Sequence, residues 1–199
     1  AYAWDFGDTP AQTATTAGPH TITYASSGTK TISLTVTATI AGNVKTNTIT
    51  KTITVNPLPN ITNTTKAFTI CDSTATNIAI TSDQASTTYA WTVSTTGGVQ
   101  NAVAGTGALI AQMLKLPALQ TTNGTVKYTV TTTLNNCPGA TADFDVTVEP
   151  RPVIATLQDV SVCSNVALSL NVQANIATSP ISWTRAAVGS IPSATGNSG

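Results

Sequence analysis

Few residues in this chain could do chemistry, and their spacing argues against it. His20 is the sole histidine, and Asp5 and Asp8 lie three positions apart. A hydrolytic triad needs a serine, a histidine and an acid brought within hydrogen-bond reach of one another. Gly18-Pro19-His20 instead reads as a turn with a solvent-exposed imidazole, and no Gly-x-Ser-x-Gly elbow occurs. Paired carboxylates serve glycosidases only when they face each other across a cleft. Asp5 and Asp8 bracket Phe6-Gly7, so Asp5, Gly7 and Asp8 are expected to shape a tight turn through side-chain-to-backbone hydrogen bonds. Gly105-Thr106-Gly107 lacks the third glycine and following helix of a dinucleotide loop. No catalytic, cofactor-binding or metal-binding set emerges, and the chain reads as non-enzymatic.

The surrounding composition points to strands. Threonine supplies about a fifth of the chain and charged residues only 8%, against a usual quarter. Thr and Val are stiff at χ1 and suit a pleated surface. Eight acids balance eight bases, and without a basic stripe nucleic acid is not an expected partner. The most apolar stretch, Ala102 to Leu119, is broken by Gly105, Gly107, Gln112, Lys115 and Pro117, so no membrane insertion is expected. The first residues lack the basic start and apolar core of a signal peptide.

A repeat organises the chain. Tyr2-Ala3-Trp4 returns 87 residues on as Tyr89-Ala90-Trp91 and 92 further on as Ile181-Ser182-Trp183. Thr54-Val55-Asn56-Pro57-Leu58-Pro59 returns after 93 residues as Thr147-Val148-Glu149-Pro150-Arg151-Pro152, and Ile70-Cys71 after 92 as Val162-Cys163. The period suits a sandwich domain. The expected fold is all-β, with tandem immunoglobulin-like β-sandwiches, one complete and two partial. Residues 1–57 would be a domain lacking its first strands, 58–150 a complete one, and 151–199 the N-terminal part of a third.

Alternation with period two marks the strands. Ile32, Leu34 and Val36 oppose Thr31, Ser33, Thr35 and Thr37. Ile49, Ile53 and Val55 oppose Thr48, Thr50, Thr52 and Thr54, with Lys51 expected on the polar side. Val126, Tyr128 and Val130 alternate with Lys127, Thr129 and Thr131, and Phe144, Val146 and Val148 with Asp143, Asp145 and Thr147. Gly42-Asn43 reads as a hairpin connection. Leu109 to Leu116 is short for a helix and is read as strand. Pro57, Pro59, Pro150 and Pro152 are expected to act as stiff linkers, because proline cannot donate to a ladder. Trp4, Trp91 and Trp183, one per copy, are expected as core anchors rather than a sugar-binding strip.

Trp4-Asp5-Phe6-Gly7-Asp8, followed by Gly28 and the Thr31–Val36 run, resembles the PKD domain, an immunoglobulin-like β-sandwich. The second copy is similar to the PKD-like repeats of very large adhesins of Bacteroidota-type bacteria. Its Cys71, Tyr89-Ala90-Trp91-Thr92-Val93, Gly124-Thr125-Val126 and Asn136-Cys137 carry the similarity. The resemblance implies type IX secretion, an extracellular place on the bacterial outer surface, and in some members gliding motility. Implied partners are neighbouring modules of the same chain, surface glycans or other cell-surface proteins. Calcium is the one ion the resemblance leaves open. It needs about six to eight oxygens, and acids are scarce here, so no cofactor is expected.

A protein of this type asks for cysteine pairing. Cys71 and Cys137 are expected to form a structural disulfide across the middle copy, with Cys163, the repeat counterpart of Cys71, left unpaired by truncation. The alternative is three free thiols. Asn60, Asn63 and Asn123 open glycosylation sequons, and Asp72-Ser73-Thr74 resembles a bacterial O-glycosylation signal. The expected function is a non-catalytic structural or adhesive stalk segment. The alternatives are an accessory region of a secreted hydrolase and the subunit of a polymerising surface fibre.

Overall fold

The computed structural model describes residues 1–154, 159–187 and 193–198. Every regular element among them is a β-strand, and the fold is all-β. No helix among these residues is long and apolar enough to cross a membrane. The chain divides into two compact units. The first comprises Ala1–Thr62, Thr81–Tyr89 and Thr131–Thr141, the second Asn63–Ile80, Ala90–Val130 and Ala142–Gly199.

Four strands form the first unit's sheet: β1 (Tyr2–Asp5), β2 (Thr13–Ala14), β3 (Gly28–Ile40) and β4 (Asn43–Val55), in the order β2-β1-β3-β4. β3 and β4 are a long hairpin in which Ile40 pairs with Asn43. Ala41 and Gly42 between them both have positive φ (49° and 77°), the backbone that a two-residue turn needs to match strand twist. The register sorts the side chains by face. On one, Thr29, Thr31, Ser33, Thr35 and Thr37 stand opposite Thr54, Thr52, Thr50, Thr48 and Thr46. The Thr35 and Thr48 hydroxyls meet at 2.8 Å. On the other, Leu34 stands between Trp4 and Ile49, and Tyr2 beside Val36. Lys51 pairs with Ile32 and so lies on this apolar face, not on the hydroxyl side as the alternation suggested. The apolar face of β4 stays open, with Ile49 63% and Ile53 37% exposed.

The largest sheet is built from β5 (Ala67–Cys71), β8 (Thr88–Thr96), β9 (Gly105–Thr106), β12 (Gly124–Leu134), β13 (Cys137–Pro138) and β14 (Ala142–Glu149). Its order is β5-β14-β12-β8-β9, with β13 turning back onto β12. The alternation read from sequence is realised here. Val126, Tyr128, Val130, Phe144, Val146 and Val148 are all essentially out of water. Two short pairs, β7 (Ile78–Ala79) with β10 (Leu109–Ile110) and β6 (Thr74–Ala75) with β11 (Met113–Leu114), bring Ile78, Ile110 and Leu114 into the same core. The Leu109–Leu116 stretch is therefore two strands that bury Ile110 and Leu114. Tyr128 buries its ring here and donates its hydroxyl to Gln112 Oε1 at 3.0 Å, which satisfies the one polar atom the ring carries inward. A last pair, β15 (Ile181–Arg185) with β16 (Ala194–Ser198), places Trp183 opposite Gly196.

Candidate functional site

The Trp4–Asp8 string ends β1 and enters a turn. Asp5 Oδ1 accepts the Gly7 N–H at 2.9 Å, a local bond that closes the turn. Gly7 has φ of 69°, and a Cβ there would run into the Thr31 carbonyl oxygen. Only glycine fits both constraints.

Asp8 goes further than turn-shaping. Its carboxylate turns inward and meets Lys30 Nζ at 3.0 Å, with the two side chains 2% and 10% exposed. Gln12 Nε2 at 3.2 Å and the Ala25 N–H at 3.4 Å donate to its other oxygen. Lys30 also donates to Ser26 Oγ at 2.8 Å and lies 5.8 Å from the centre of the Tyr24 ring. The lysine hydrogen bond, then the Thr9 N–H, hold the Asp8 carboxyl below its ordinary range, although burial opposes them. A carboxylate with this many donors is committed to charge neutralisation and has no free lone pair aimed at a substrate. Lys30 was missed in the sequence. Its signal was a lysine in line with Ile32 and Leu34 on the inward face of β3.

His20 is half-buried rather than solvent-exposed. Its ring meets Trp4 and Phe6 edge-on at 5.5 and 5.7 Å, while those two stack at 5.8 Å. Its Nε2 lies 3.2 Å from the Thr16 carbonyl oxygen. Exposed loops rarely offer an imidazole two aromatic faces, and the turn signal alone could not reveal them. The histidine and Asp8 thus serve different networks. Among the described residues, no group of three or more His, Cys, Asp or Glu could hold a metal ion.

The three tryptophans do not share one environment. Trp91 is buried, at 7% exposed. Trp4 is half-buried within the first sheet. Trp183 is 51% exposed, so the core role expected of it fails. What the indoles share is local. Trp4 Nε1 donates to the Thr16 carbonyl at 3.0 Å, and Trp91 Nε1 to the Val103 carbonyl at 3.2 Å, each twelve residues on. Trp91 pairs with Gly105 and Trp183 with Gly196, and a Cβ on either glycine would lie 2.6 Å from the indole. Glycine is needed because the ring lies flat over the neighbouring strand. The Gly105-Thr106-Gly107 string was thus a packing signal, though nothing in the string itself says so.

A second repeated contact stands at the entry to each of the last two copies. Asn60 N–H donates to Asp83 Oδ1 at 2.8 Å and Asp83 N–H to the Asn60 carbonyl at 3.1 Å. Val153 N–H donates to Asn175 Oδ1 at 2.6 Å and Asn175 N–H to the Val153 carbonyl at 2.9 Å. The Asn60 N–H, then the Asn60 side-chain amide, hold the Asp83 carboxyl below its ordinary range, although burial opposes them.

The expected disulfide is absent: Cys71, Cys137 and Cys163 are all free. Cys71 pairs with Glu149, next to Val148, whose own partner is Gly124 at the start of β12. Cys137 pairs with Leu134 at the other end of β12. Ten residues of extended strand span about 33 Å, whereas a bridge needs Cα atoms within about 7 Å. Cys137 Sγ lies instead 3.9 Å from Asn56 Nδ2. With no pair to repeat, the account of Cys163 as a thiol deprived of its mate falls too.

Pro59 is fully buried, and its carbonyl accepts the buried Thr132 hydroxyl at 2.9 Å. It belongs to a packed core and not to a linker. Pro57 lines a shallow pocket with Tyr24, Ser26, Val55 and Leu58. Between Pro150 and Pro152, Arg151 Nη2 donates to the Asp72 carbonyl at 2.8 Å.

Residues 68–152 match the PKD-like domain family. The chain therefore carries a PKD-like domain over its middle copy, a non-catalytic β-sandwich type typical of extracellular repeat proteins. No curated protein matches the chain.

Proposed function

We propose that this chain is a structural and adhesive stalk segment of a large extracellular repeat protein, made of modules in series over residues 1–57, 58–150 and 151–199. The observation that carries the reading is the recurrence of the same contacts at the repeat period. The Asn60–Asp83 bond pair recurs at Val153–Asn175, and the Trp91–Gly105 stack at Trp183–Gly196. Selection on a reactive centre concentrates polar groups at one place; here the polar side chains repeat and close turns. The PKD-like match supports an extracellular setting. The resemblance read from the sequence supports the finer assignment: a Bacteroidota-type adhesin, exported by type IX secretion and displayed on the cell surface, with glycans or surface proteins as partners and, in some such proteins, a part in gliding.

The mechanism is mechanical. Backbone ladders between β12 and β14 and a core around Trp91 resist extension, while a hydroxyl-rich surface limits adventitious binding. Single-molecule pulling from both ends tests it. The middle copy should give one discrete rupture that releases about 300 Å of chain, at roughly 3.5 Å per residue. Smooth extension without a rupture would sink the stalk reading.

A further inference from the structure

The hydroxyl face of the β3–β4 hairpin is an array of two rows. Thr29, Thr31, Ser33, Thr35 and Thr37 run along β3, and Thr54, Thr52, Thr50, Thr48 and Thr46 stand opposite them in that order. The five threonines of β4 are exposed, as are Thr29 and Thr31, while Ser33, Thr35 and Thr37 are half-buried. Lys45, Ile49, Lys51 and Ile53 belong to the other face, so none of these positions carries a charge or a large apolar group. Successive side chains of a strand point to opposite sides, so what packs on the apolar face has no bearing on this one.

The ladder fixes the spacing. The Thr37 N–H donates to the Ala1 carbonyl at 2.9 Å, away from β4. Thr37 and Thr46 are therefore a non-hydrogen-bonded pair of the hairpin. The two kinds of pair alternate, so every pair in the array is of this kind, with Cα atoms about 4.5 Å apart across the strands. Along each strand the array repeats every second residue, or about 6.8 Å. Oxygen atoms on a prism face of ice repeat in two perpendicular directions by nearly the same two lengths. The Thr35 and Thr48 hydroxyls, at 2.8 Å, already stand at the separation of hydrogen-bonded waters. The fold does not demand such a face. In the middle copy β12 and β14 pair in the same way, Gly124 with Val148 as Gly28 with Val55. There the polar side carries Lys127, with Asp143 at 3.0 Å and Asp145 at 3.7 Å.

We propose that the hydroxyl face of β3 and β4 binds the surface of ice. The match is one of charge as well as spacing. Ice is uncharged and offers both donors and acceptors, and each threonine hydroxyl also does both. A single hydroxyl gains little by exchanging liquid water for ice. Threonine is stiff at χ1, so a whole array in register engages at once with little further ordering to offset the gain. A polysaccharide is a poorer match, since sugar-binding faces stack pyranose rings on aromatic side chains, and Tyr2 and Trp4 stand with Val36 and Leu34 on the other face. The inference goes beyond the stalk reading, since a stalk can rupture as described whether or not one of its faces holds ice.

Slow growth of ice from a dilute solution of the full chain tests it, with protein in the ice measured against protein left in the liquid. The wild type should be taken up into the ice, while a globular control protein of similar size stays behind. Thr50→Lys, at the middle of its row, and Thr52→Lys should each lose the uptake with melting temperatures unchanged. Asn47→Lys adds the same charge to the same strand on the opposite face, and should keep it. Three results would each overturn the proposal: a wild type left in the liquid like the control, uptake that survives both threonine variants, or uptake lost equally in Asn47→Lys. Sedimentation with crystalline cellulose that Thr50→Lys abolishes, without uptake into ice, would overturn it too and give the face to a polysaccharide.

Discussion

Lys30 Nζ lies 3.0 Å from Asp8 Oδ1, and both side chains are almost wholly withdrawn from water. Each is held by further partners, Ser26 for the lysine and Gln12 and Ala25 for the acid. Breaking one half of such a pair leaves the other charge without compensation, while replacing both halves with apolar groups is far less harmful. Asp8→Ala should therefore lower the melting temperature of the first unit clearly, and Lys30→Met in that background should recover much of the loss. A double variant as unstable as the single one would contradict this account.

The same carboxylate sets a pH dependence. Asp8 is held below its ordinary value in the folded chain, so the unfolded chain binds its proton first as pH falls. Its stabilisation is fully present above the unfolded carboxylate pKa, near 3.9, and drains away as pH drops through the lower folded value. Asp83 and Asp143 are shifted the same way. Thermal melts between neutral and strongly acid pH should show stability falling with acid, and Asp8→Asn should flatten part of that slope. An unchanged slope would mean Asp8 titrates alike in both states.

Tyr128 should report the opposite limb. Burial pushes its hydroxyl up to about 12, whereas an unfolded tyrosine ionises near 10. The folded form keeps a proton that the unfolded form releases, so stability should decline as pH rises above about 10. Absorbance titration should show a late ionisation step that Tyr128→Phe removes.

The tryptophans offer a graded test. A Cβ at Gly105 would lie 2.6 Å from the Trp91 ring, so Gly105→Ala should cost about 1–3 kcal/mol by overpacking. Trp91→Ala should cost about 3–5 kcal/mol. Trp183→Ala, at a half-exposed position, should stay within about 0.5 kcal/mol. Urea midpoints measure all three, and a large loss at Trp183 would show that its indole is covered in solution.

The thiols give the simplest measurement. All three should react in the native state without prior reduction, Cys71 and Cys163 faster than the less exposed Cys137. Reducing agent should leave the melting temperature unchanged.

Much of the strand layout was legible in the sequence. Phe144, Val146 and Val148 needed only period-two alternation to be placed in the core, because a strand buried on one face writes that pattern directly. The open face of β4 was not legible, since Ile49 and Ile53 carry the same alternation whether or not a layer covers them. The cysteine error has a related origin. Sixty-six residues separate Cys71 from Cys137, and that number carries no information on which end of β12 each one reaches. Lys30 was hidden because composition treats a lysine as surface until its partner is known. Trp183 repeats Trp91 in sequence, yet its indole is half exposed where that of Trp91 is buried, and the repeat alone does not distinguish the two.

The paired threonine rows of β3 and β4 bear on where such a molecule can work. Hydroxyls hold water without counter-ions, and a sheet wetted this way has almost nothing for dissolved salt to screen. Its solubility and shape should persist from fresh water to brine, in settings where a surface kept soluble by lysines and glutamates would lose its mutual repulsion and begin to clump.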